Sequence, residues 1–315
     1  MLSSSAPMRV LVTGASGAIG GDLVPRLVAR GHAVRALART PSRVKAVGLE
    51  EVVRGDVVTG EGLAAAVSGA DIAYYLVHSM EPAVDGSSPF AERERLGAGN
   101  FAAAARRAGV RRVVYLGGPV PQGGGTSAHL ASRLAVEQLL LDAAPQAVAL
   151  RASIVISARS RSFRFLVRLV ERVRVMPLPA WRVHRTRPID GRDVLAFLVA
   201  AGESEAVAGA LSLDIAGPDL LTYAEMIERI RDALLLGRPR LDLPFTLTPV
   251  AARVAAAIAG EDAELVVPLM EGLGADLLPR DERAAELFGV RLHHFDAAVE
   301  HALGVWERDE QLAAR

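Results

Sequence analysis

Short apolar runs alternate with amphipathic stretches along the first half of the chain. The apolar runs are bounded by turn residues and predict β-strands at Arg9–Thr13, Ala33–Ala38, Glu51–Arg54, Ile72–Val77, Arg112–Leu116 and Ala147–Ala152. The stretches between them predict helices at Ile19–Arg30, Gly62–Val67, Phe90–Ala108 and Ala128–Ala143. Strands that are apolar throughout and separated by helices are typical of a parallel sheet covered on both faces. The pattern therefore predicts an α/β fold with a doubly wound parallel sheet of the Rossmann type.

This rhythm changes near residue 151, where a basic, proline-punctuated region begins. Beyond it we predict a helix at Arg192–Ala201, a strand at Leu211–Ala216, a helix at Tyr223–Leu235 and a helical, Ala/Leu/Pro-rich tail. We therefore divide the chain into a sheet domain over residues 8–155 and a smaller, mainly helical lobe over 156–315. That lobe is expected to interleave with the last sheet elements.

Charge and cysteine content exclude several classes of partner. The 36 basic and 36 acidic side chains cancel, so we expect neither a nucleic-acid nor a membrane partner. The absence of cysteine and of a signal-like amino terminus fits the cytoplasm. With no HExxH motif we expect no metal site. The sequence does not decide the oligomeric state, which is either a monomer or a homodimer.

A glycine-rich loop follows the first strand and begins the first helix. Its residues are Thr13, Gly14, Ala15, Ser16, Gly17, Ala18, Ile19 and Gly20. In a dinucleotide fingerprint the first glycine permits the tight turn, the second admits the pyrophosphate, and the third lets helix and strand pack closely. We predict that Thr13, Gly14 and Ser16 to Gly20 contact a dinucleotide whose phosphates lie at the helix N-terminus.

The second strand ends in an arginine where an NAD site usually has an acid. Arg39 stands there, with Arg35 and Arg43 near it, and a guanidinium suits the 2′-phosphate of NADP. We predict NADP(H) rather than NAD(H), although a solvated arginine is the alternative in a chain whose only lysine is Lys45. Asp56 is expected either to accept from the adenine amino group or to stabilise a turn. Its neighbour Val57, and Val77 after the fourth strand, complete the predicted cofactor contacts.

Several longer motifs occur in an order typical of one family. They are GDV from Gly55, YYLVHSM from Tyr74, VVYLGG from Val113, LRASIVI from Leu150, RPIDGRDV from Arg187 and IAGPDLLTYAEM from Ile215. Over residues 8–235 they resemble the extended and atypical short-chain dehydrogenase/reductases. The likeness is closest to the NmrA-like branch and to bacterial proteins loosely described as nucleoside-diphosphate-sugar epimerases. The resemblance implies that residues 8–155 bind NAD(P)H.

The same resemblance implies where catalysis takes place. Active members carry a YxxxK pair on the helix after the fifth strand and a serine at the end of that strand. Here His129 takes the place of the tyrosine, Arg133 that of the lysine, and Gly117 or Gly118 that of the serine. Histidine titrates near neutrality and can supply a proton, whereas arginine can hold the nicotinamide ribose but cannot relay one. His129 as a merely exposed helix residue is the competing interpretation.

Other candidate residues lie in loops beyond the strands. His78 is a possible second proton donor, or a solvated loop residue. A basic segment at the expected mouth of the substrate cleft contains Arg182, His184, Arg185 and Arg187. It either binds an anionic substrate or is a solvated loop.

Three functions follow from these observations. The first is an NADP(H)-dependent reductase that transfers hydride to an unknown small organic acceptor, such as a quinone or a carbonyl compound. The second is a non-catalytic NADP(H) sensor. A sugar-nucleotide epimerase or dehydratase ranks third, because that chemistry needs the Tyr–Lys pair.

Overall fold

Seven parallel strands form the main sheet. The computed structural model describes residues 7–77, 90–120, 128–245, 248–260 and 272–312. The main sheet contains β1 (Arg9–Thr13), β2 (Ala33–Ala38), β3 (Glu51–Arg54), β4 (Ile72–Tyr75), β5 (Arg112–Gly117), β6 (Gln146–Ala152) and β11 (Ala210–Ile215). Its order is β11-β6-β5-β4-β1-β2-β3, and all neighbouring strands run parallel. The doubly wound sheet is thus confirmed. Its winding reverses between β1 and β4, where such folds open a crevice at the carboxyl ends of the strands.

The helices that connect these strands cover both faces of the sheet. They are α1 (Ala18–Ala29), α2 (Leu63–Val67), α3 (Phe90–Ala108), α4 (Ala128–Leu141) and α6 (Gly191–Glu203). Apolar side chains at helical spacing, such as Leu23 and Leu27 of α1, are completely or almost completely buried. Gly31 and Gly109 follow α1 and α3 with φ of 86° and 69°, a conformation that favours glycine and ends a helix.

The fourth strand is shorter than the sequence predicts. We expected it to reach Val77, but β4 ends at Tyr75. The Leu76 amide donates to the Thr13 hydroxyl at 3.2 Å instead of to a neighbouring strand. A side-chain bond thus takes over from the ladder, and the chain leaves the sheet at the crevice.

The second part of the chain adds helices and very short strand pairs. It contains β7 (Val155–Ile156), α5 (Arg161–Arg172), β8 (Met176–Leu178), β9 (Arg185–Thr186), β10 (Ile189–Asp190), β12 (Leu221–Thr222), α7 (Tyr223–Ala233), β13 (Arg240–Asp242), α8 (Thr248–Ala259), α9 (Arg283–Phe288) and α10 (Phe295–Trp306). A separate core holds this part together around the buried rings of Phe163, Tyr223, Phe295 and Trp306. Pairs of two or three residues are too short to leave a periodic signal, so the sequence did not predict β7 to β10, β12 or β13.

Two carboxylates tie the last helix to the rest of the fold. Asp193 in the first turn of α6 accepts from the His293 amide at 2.8 Å and contacts the His293 ring at 2.6 Å. Asp219 accepts from the Phe295 amide at 2.6 Å and contacts the ring of His294 at 3.0 Å. The adjacent histidines therefore face different acids.

The described ranges contain neither a cluster of metal-ligating side chains nor a helix able to span a membrane. No group of three or more His, Cys, Asp or Glu within the described ranges is arranged to hold a metal ion. Among those residues, none of the helices has both the length and the apolar character that a membrane crossing requires.

Candidate dinucleotide and catalytic site

The loop after β1 is packed so closely that glycine is required at two positions. Gly14 has a φ of 75°, and a Cβ atom there would lie 2.6 Å from the Leu76 carbonyl oxygen. A Cβ atom on Gly20 would lie 2.3 Å from the Gly14 carbonyl oxygen. The loop closes on itself through the Gly17 amide, which donates to the Gly14 carbonyl at 2.9 Å. Any side chain at position 14 or 20 would push α1 and the loop away from the strand ends.

The first turn of α1 is suited to an anion. Gly17 caps this helix without a side-chain hydrogen bond, and no acidic residue lies in the first turn. Ser16 and Gly17 are exposed, and Ala18 and Ile19 are partly buried. Unpaired amides at a helix N-terminus attract phosphate through hydrogen bonding and the helix dipole. These residues therefore fit the pyrophosphate of a dinucleotide.

Thr13 stabilises the crevice from below. Its buried hydroxyl donates to the Tyr74 carbonyl at 3.1 Å and accepts from the Leu76 amide. Thr13 thus joins the ends of β1 and β4, and its hydroxyl makes both of these hydrogen bonds within the protein.

Two of the three arginines near the end of β2 are exposed. Arg39 follows β2 directly and is exposed, as is Arg43 two residues beyond Pro41. Arg35 turns away: it pairs with Glu51 at 3.0 Å and donates to carbonyl oxygens at the end of α2. Arg35 is therefore a structural residue, and Arg39 and Arg43 are the exposed arginines near the end of β2.

Asp56, Val57 and Val77, which the sequence predicts as cofactor contacts, lie just after β3 and β4. Asp56 accepts from the Val58 amide at 2.7 Å, so at least one carboxylate oxygen stabilises the turn after β3. Val57 is buried, and a Cβ atom on Gly97 of α3 would lie 3.1 Å from it. Val77 is partly buried just after β4.

Arg133 points inward from α4 to the end of β5. Its side chain is 9% exposed and donates to the Leu116 carbonyl at 2.6 Å. The guanidinium lies 3.4 Å from a carboxylate oxygen of Glu94 and 5.2 Å from the centre of the Tyr115 ring. A buried cation is thus held at the carboxyl edge of the sheet by one acid, one carbonyl and one aromatic face.

The sequence analysis missed Glu94, which accepts from this cation. It is 4% exposed, and its second oxygen accepts from the Ser132 hydroxyl at 2.8 Å. In the sequence it stands between Arg93 and Arg95 and resembles a solvated charge. The available signal was its spacing, because the buried Ala98 and Phe101 lie four and seven residues further along α3.

Comparison with known proteins assigns the first part of the chain. A family model described as NAD(P)H-binding matches residues 14–153. This part of the chain is similar to NAD(P)H-binding domains. A UDP-glucuronic acid 4-epimerase from Bacillus cereus, solved with UDP-glucuronic acid and NAD, shares the fold with a TM-score of 0.71 at 15% identity, over 96% of this chain and 99% of that one.

Curated relatives match this NAD(P)H-binding part of the chain over a shorter stretch. A 3β-hydroxysteroid dehydrogenase/Δ5→4-isomerase from Mycobacterium tuberculosis is 39% identical over 113 residues, which are 34% of this chain and 30% of that protein. A 3-diazoavenalumate denitrifying reductase from Streptomyces sp is 42% identical over 113 residues, 34% of this chain and 36% of that protein. The matched region thus spans about a third of each relative.

Gly117, one of the two positions predicted to replace a serine, has little room for a side chain. It is the last residue of β5, and a Cβ atom there would lie 2.9 Å from the Tyr115 ring. Tyr115 is 1% exposed, and its hydroxyl donates to the Arg133 carbonyl at 3.4 Å. A serine at position 117 would therefore have to displace a ring that supports α4.

The two phenols in this region are core residues. Tyr75 ends β4 and lies edge-on to Phe101 with ring centres 5.0 Å apart. Burial raises the pKa of Tyr75 and of Tyr115 far above the ordinary value, and Glu94 adds to this in both cases. Both phenols stay protonated at neutral pH and are shielded from solvent.

The histidine candidates are only partly located. His129 is the second residue of α4, one turn before Arg133, and its side chain lies outside the described residues. His78 lies outside them altogether.

Glu137, which keeps the family's pattern on α4, has a structural role. It accepts from Arg151 of β6 at 2.6 and 2.9 Å, and from the Ser212 hydroxyl at 2.7 Å. Arg151 also lies 3.5 Å from Asp214 of β11. This buried cluster fastens α4 to the edge of the sheet, away from the crevice between β1 and β4.

Proposed function

We propose that this protein is an atypical short-chain reductase that uses NADP(H) and transfers hydride to a small organic acceptor, such as a carbonyl compound or a quinone. The observation that carries the proposal is Arg133, a buried guanidinium held where the family places its lysine. Relatives named as a dehydrogenase and a reductase support the reaction type. Bound NADPH supplies the hydride.

The residues of this chain have separate roles in the proposal. The loop from Gly14 to Gly20 holds the pyrophosphate, and Arg39 binds the 2′-phosphate through its planar set of donors. Arg133, fixed by Glu94, orients the nicotinamide ribose. Because a guanidinium does not give up its proton, His129 is the proposed proton donor to the reduced oxygen. We further propose that the protein belongs to the NmrA-like branch of this family and that it works in the cytoplasm.

A non-catalytic dinucleotide sensor is the second candidate. It is favoured by the commitment of Arg133 to Glu94 and Leu116, together with the glycine at the serine position. Such a protein would bind NADPH firmly and change a partner contact with the redox state of the cofactor. A sugar-nucleotide epimerase ranks third, because that chemistry needs a Tyr–Lys pair and this chain has His129 and Arg133 in its place.

Two measurements separate these functions. Calorimetric titration with NADPH and NADH should show tighter binding of NADPH. Oxidation of NADPH should then be followed against a panel of carbonyl compounds, quinones and flavins. Tight binding with no turnover across the panel would contradict the reductase and support the sensor. Turnover that survives both His129→Ala and Arg133→Ala would contradict the catalytic assignment alone.

A further inference from the structure

The basic segment at residues 182–187 lies over the carboxyl end of the main sheet. Ser153 follows β6 directly, and its amide donates to Ile215 at the end of β11. The Ser153 hydroxyl lies 3.1 Å from that of Thr186, and both residues are buried. Ligands of doubly wound folds bind outside the carboxyl ends of the strands. The segment therefore borders the substrate side of the site.

Every cation of this segment has a carboxylate partner from later in the chain. Arg182 lies 3.2 Å from Asp242. Arg185 and His184 share Asp276, at 2.7 and 3.7 Å.

Arg187 pairs with Glu282, and it also donates to the Gly217 carbonyl at 2.8 Å. Three carboxylates thus pair with three arginines and one histidine, and Asp242 also pairs with Arg240.

Asp276 is the central acid of this arrangement. It accepts from the Arg185 amide at 2.7 Å as well as from the guanidinium. Burial alone would raise the pKa of Asp276, but the bonds from Arg185 outweigh burial and hold it below the ordinary value. The acid therefore stays charged at neutral pH and continues to cancel its partners.

The internal chain segments outside the described ranges add no lysine or arginine to this region. Residues 78–89, 121–127, 246–247 and 261–271 contain no lysine or arginine. Apolar side chains are exposed in the same region: Val183 of the segment is 60% exposed, and Leu220, just before β12, is 51% exposed. A phosphate-bearing substrate would thus meet carboxylates whose arginines are already engaged, and it would have to break ion pairs to bind.

We propose that the substrate side of this site selects an uncharged, largely apolar molecule and rejects nucleoside diphosphates, because its own acids neutralise the arginines at residues 182–187. This deepens the proposed function and rests on it. It separates the protein from enzymes that bind a sugar nucleotide on the same fold. The selection is by charge, so removing the acids should reverse it.

The test uses UDP as the probe and the full chain saturated with NADPH, so that the dinucleotide site is closed to UDP. Wild-type protein is expected to bind UDP at least tenfold more weakly than the double variant Asp276→Asn/Glu282→Gln, in which Arg185 and Arg187 lose their acids. The affinity gained should fall with added salt.

A matched control removes the same charge elsewhere. Asp232→Asn/Asp296→Asn breaks the exposed pairs with Arg231 and Arg229 on α7, and it should leave UDP binding unchanged. Submillimolar binding of UDP by the wild-type holoprotein would overturn the inference. So would a gain in the first double variant no larger than in the control. Absence of NADPH binding by the wild-type protein would instead refute the proposed function. NADPH binding is therefore measured first, before UDP is added.

Discussion

The replacement Glu94→Gln should reveal how firmly the buried cation depends on its acid. Glu94 and Arg133 have side chains 3% and 9% exposed, so neither charge has much access to water. Removing one partner of a buried ion pair costs about 3–5 kcal/mol, because the other charge stays desolvated without compensation. The glutamine oxygen can still accept from Ser132 at the present 2.8 Å, so we expect the lower end, about 3 kcal/mol.

The assay is urea unfolding followed by circular dichroism, combined with NADPH titration. Glu137→Gln is the matched control, because it removes the same charge from a buried Arg–Glu pair that is 10% and 2% exposed. Both variants should lose free energy of unfolding, although Arg151 keeps Asp214 as a second acid in Glu137→Gln. Only Glu94→Gln should also weaken NADPH binding, since Arg151 lies away from the cofactor crevice.

A double variant separates stability from cofactor binding. Glu94→Gln/Arg133→Met removes both charges and should regain most of the lost stability, as apolar replacements of buried ion pairs often do. It should not regain NADPH affinity. If Glu94→Gln stays within about 1 kcal/mol of the wild type, or if the double variant is less stable than the single one, the pair does not hold Arg133 as argued.

Three further predictions concern the loop, the cofactor and acid stability. Gly14→Ala should abolish NADPH binding in titration because its Cβ would meet a carbonyl at 2.6 Å, whereas Gly31→Ala, with no atom within 4 Å, should keep binding and lose only about 1–2 kcal/mol in urea unfolding. Arg39→Ala should weaken NADPH by about 1–3 kcal/mol and leave NADH unchanged, and Arg26→Ala on the outer face of α1 should alter neither. Asp219 has a pKa below its ordinary value, since hydrogen bonds from Phe295 and His294 outweigh burial, so the stability it contributes is present above about pH 4 and lost as the pH falls through the folded pKa. Asp219→Asn should therefore flatten the stability profile below pH 4, and an unchanged slope would contradict this assignment.

The strands were predictable because their burial is local information. β1, β2 and β3 have the predicted bounds, and the mainly buried β1 and β2 are recognisable as largely apolar runs between turns. The end of β4 was not predictable in this way. It depends on the Thr13 hydroxyl reaching across to Leu76, a contact between residues 63 positions apart.

The candidate site was predictable only as far as its motifs extend. The glycine loop follows a fingerprint whose spacing alone indicates its role. Glu94 belongs to no such motif, and its charge alone predicts a surface position. It is buried because α3 packs against α4. The ion pairs of the basic segment could not be predicted for the same reason, because their acids are Asp242, Asp276 and Glu282, far along the chain.

β11 has a consequence for how this protein can be divided. The strand comes from the second part of the chain, yet it pairs with β6 along six residues and brings Asp214 to Arg151. A fragment that stopped at residue 155 would keep every residue of the glycine loop but would leave β6 as an open edge with a half-compensated arginine. Residues 8–155 by themselves therefore do not form the complete sheet. A fragment that keeps all seven strands must carry the chain at least through Ile215.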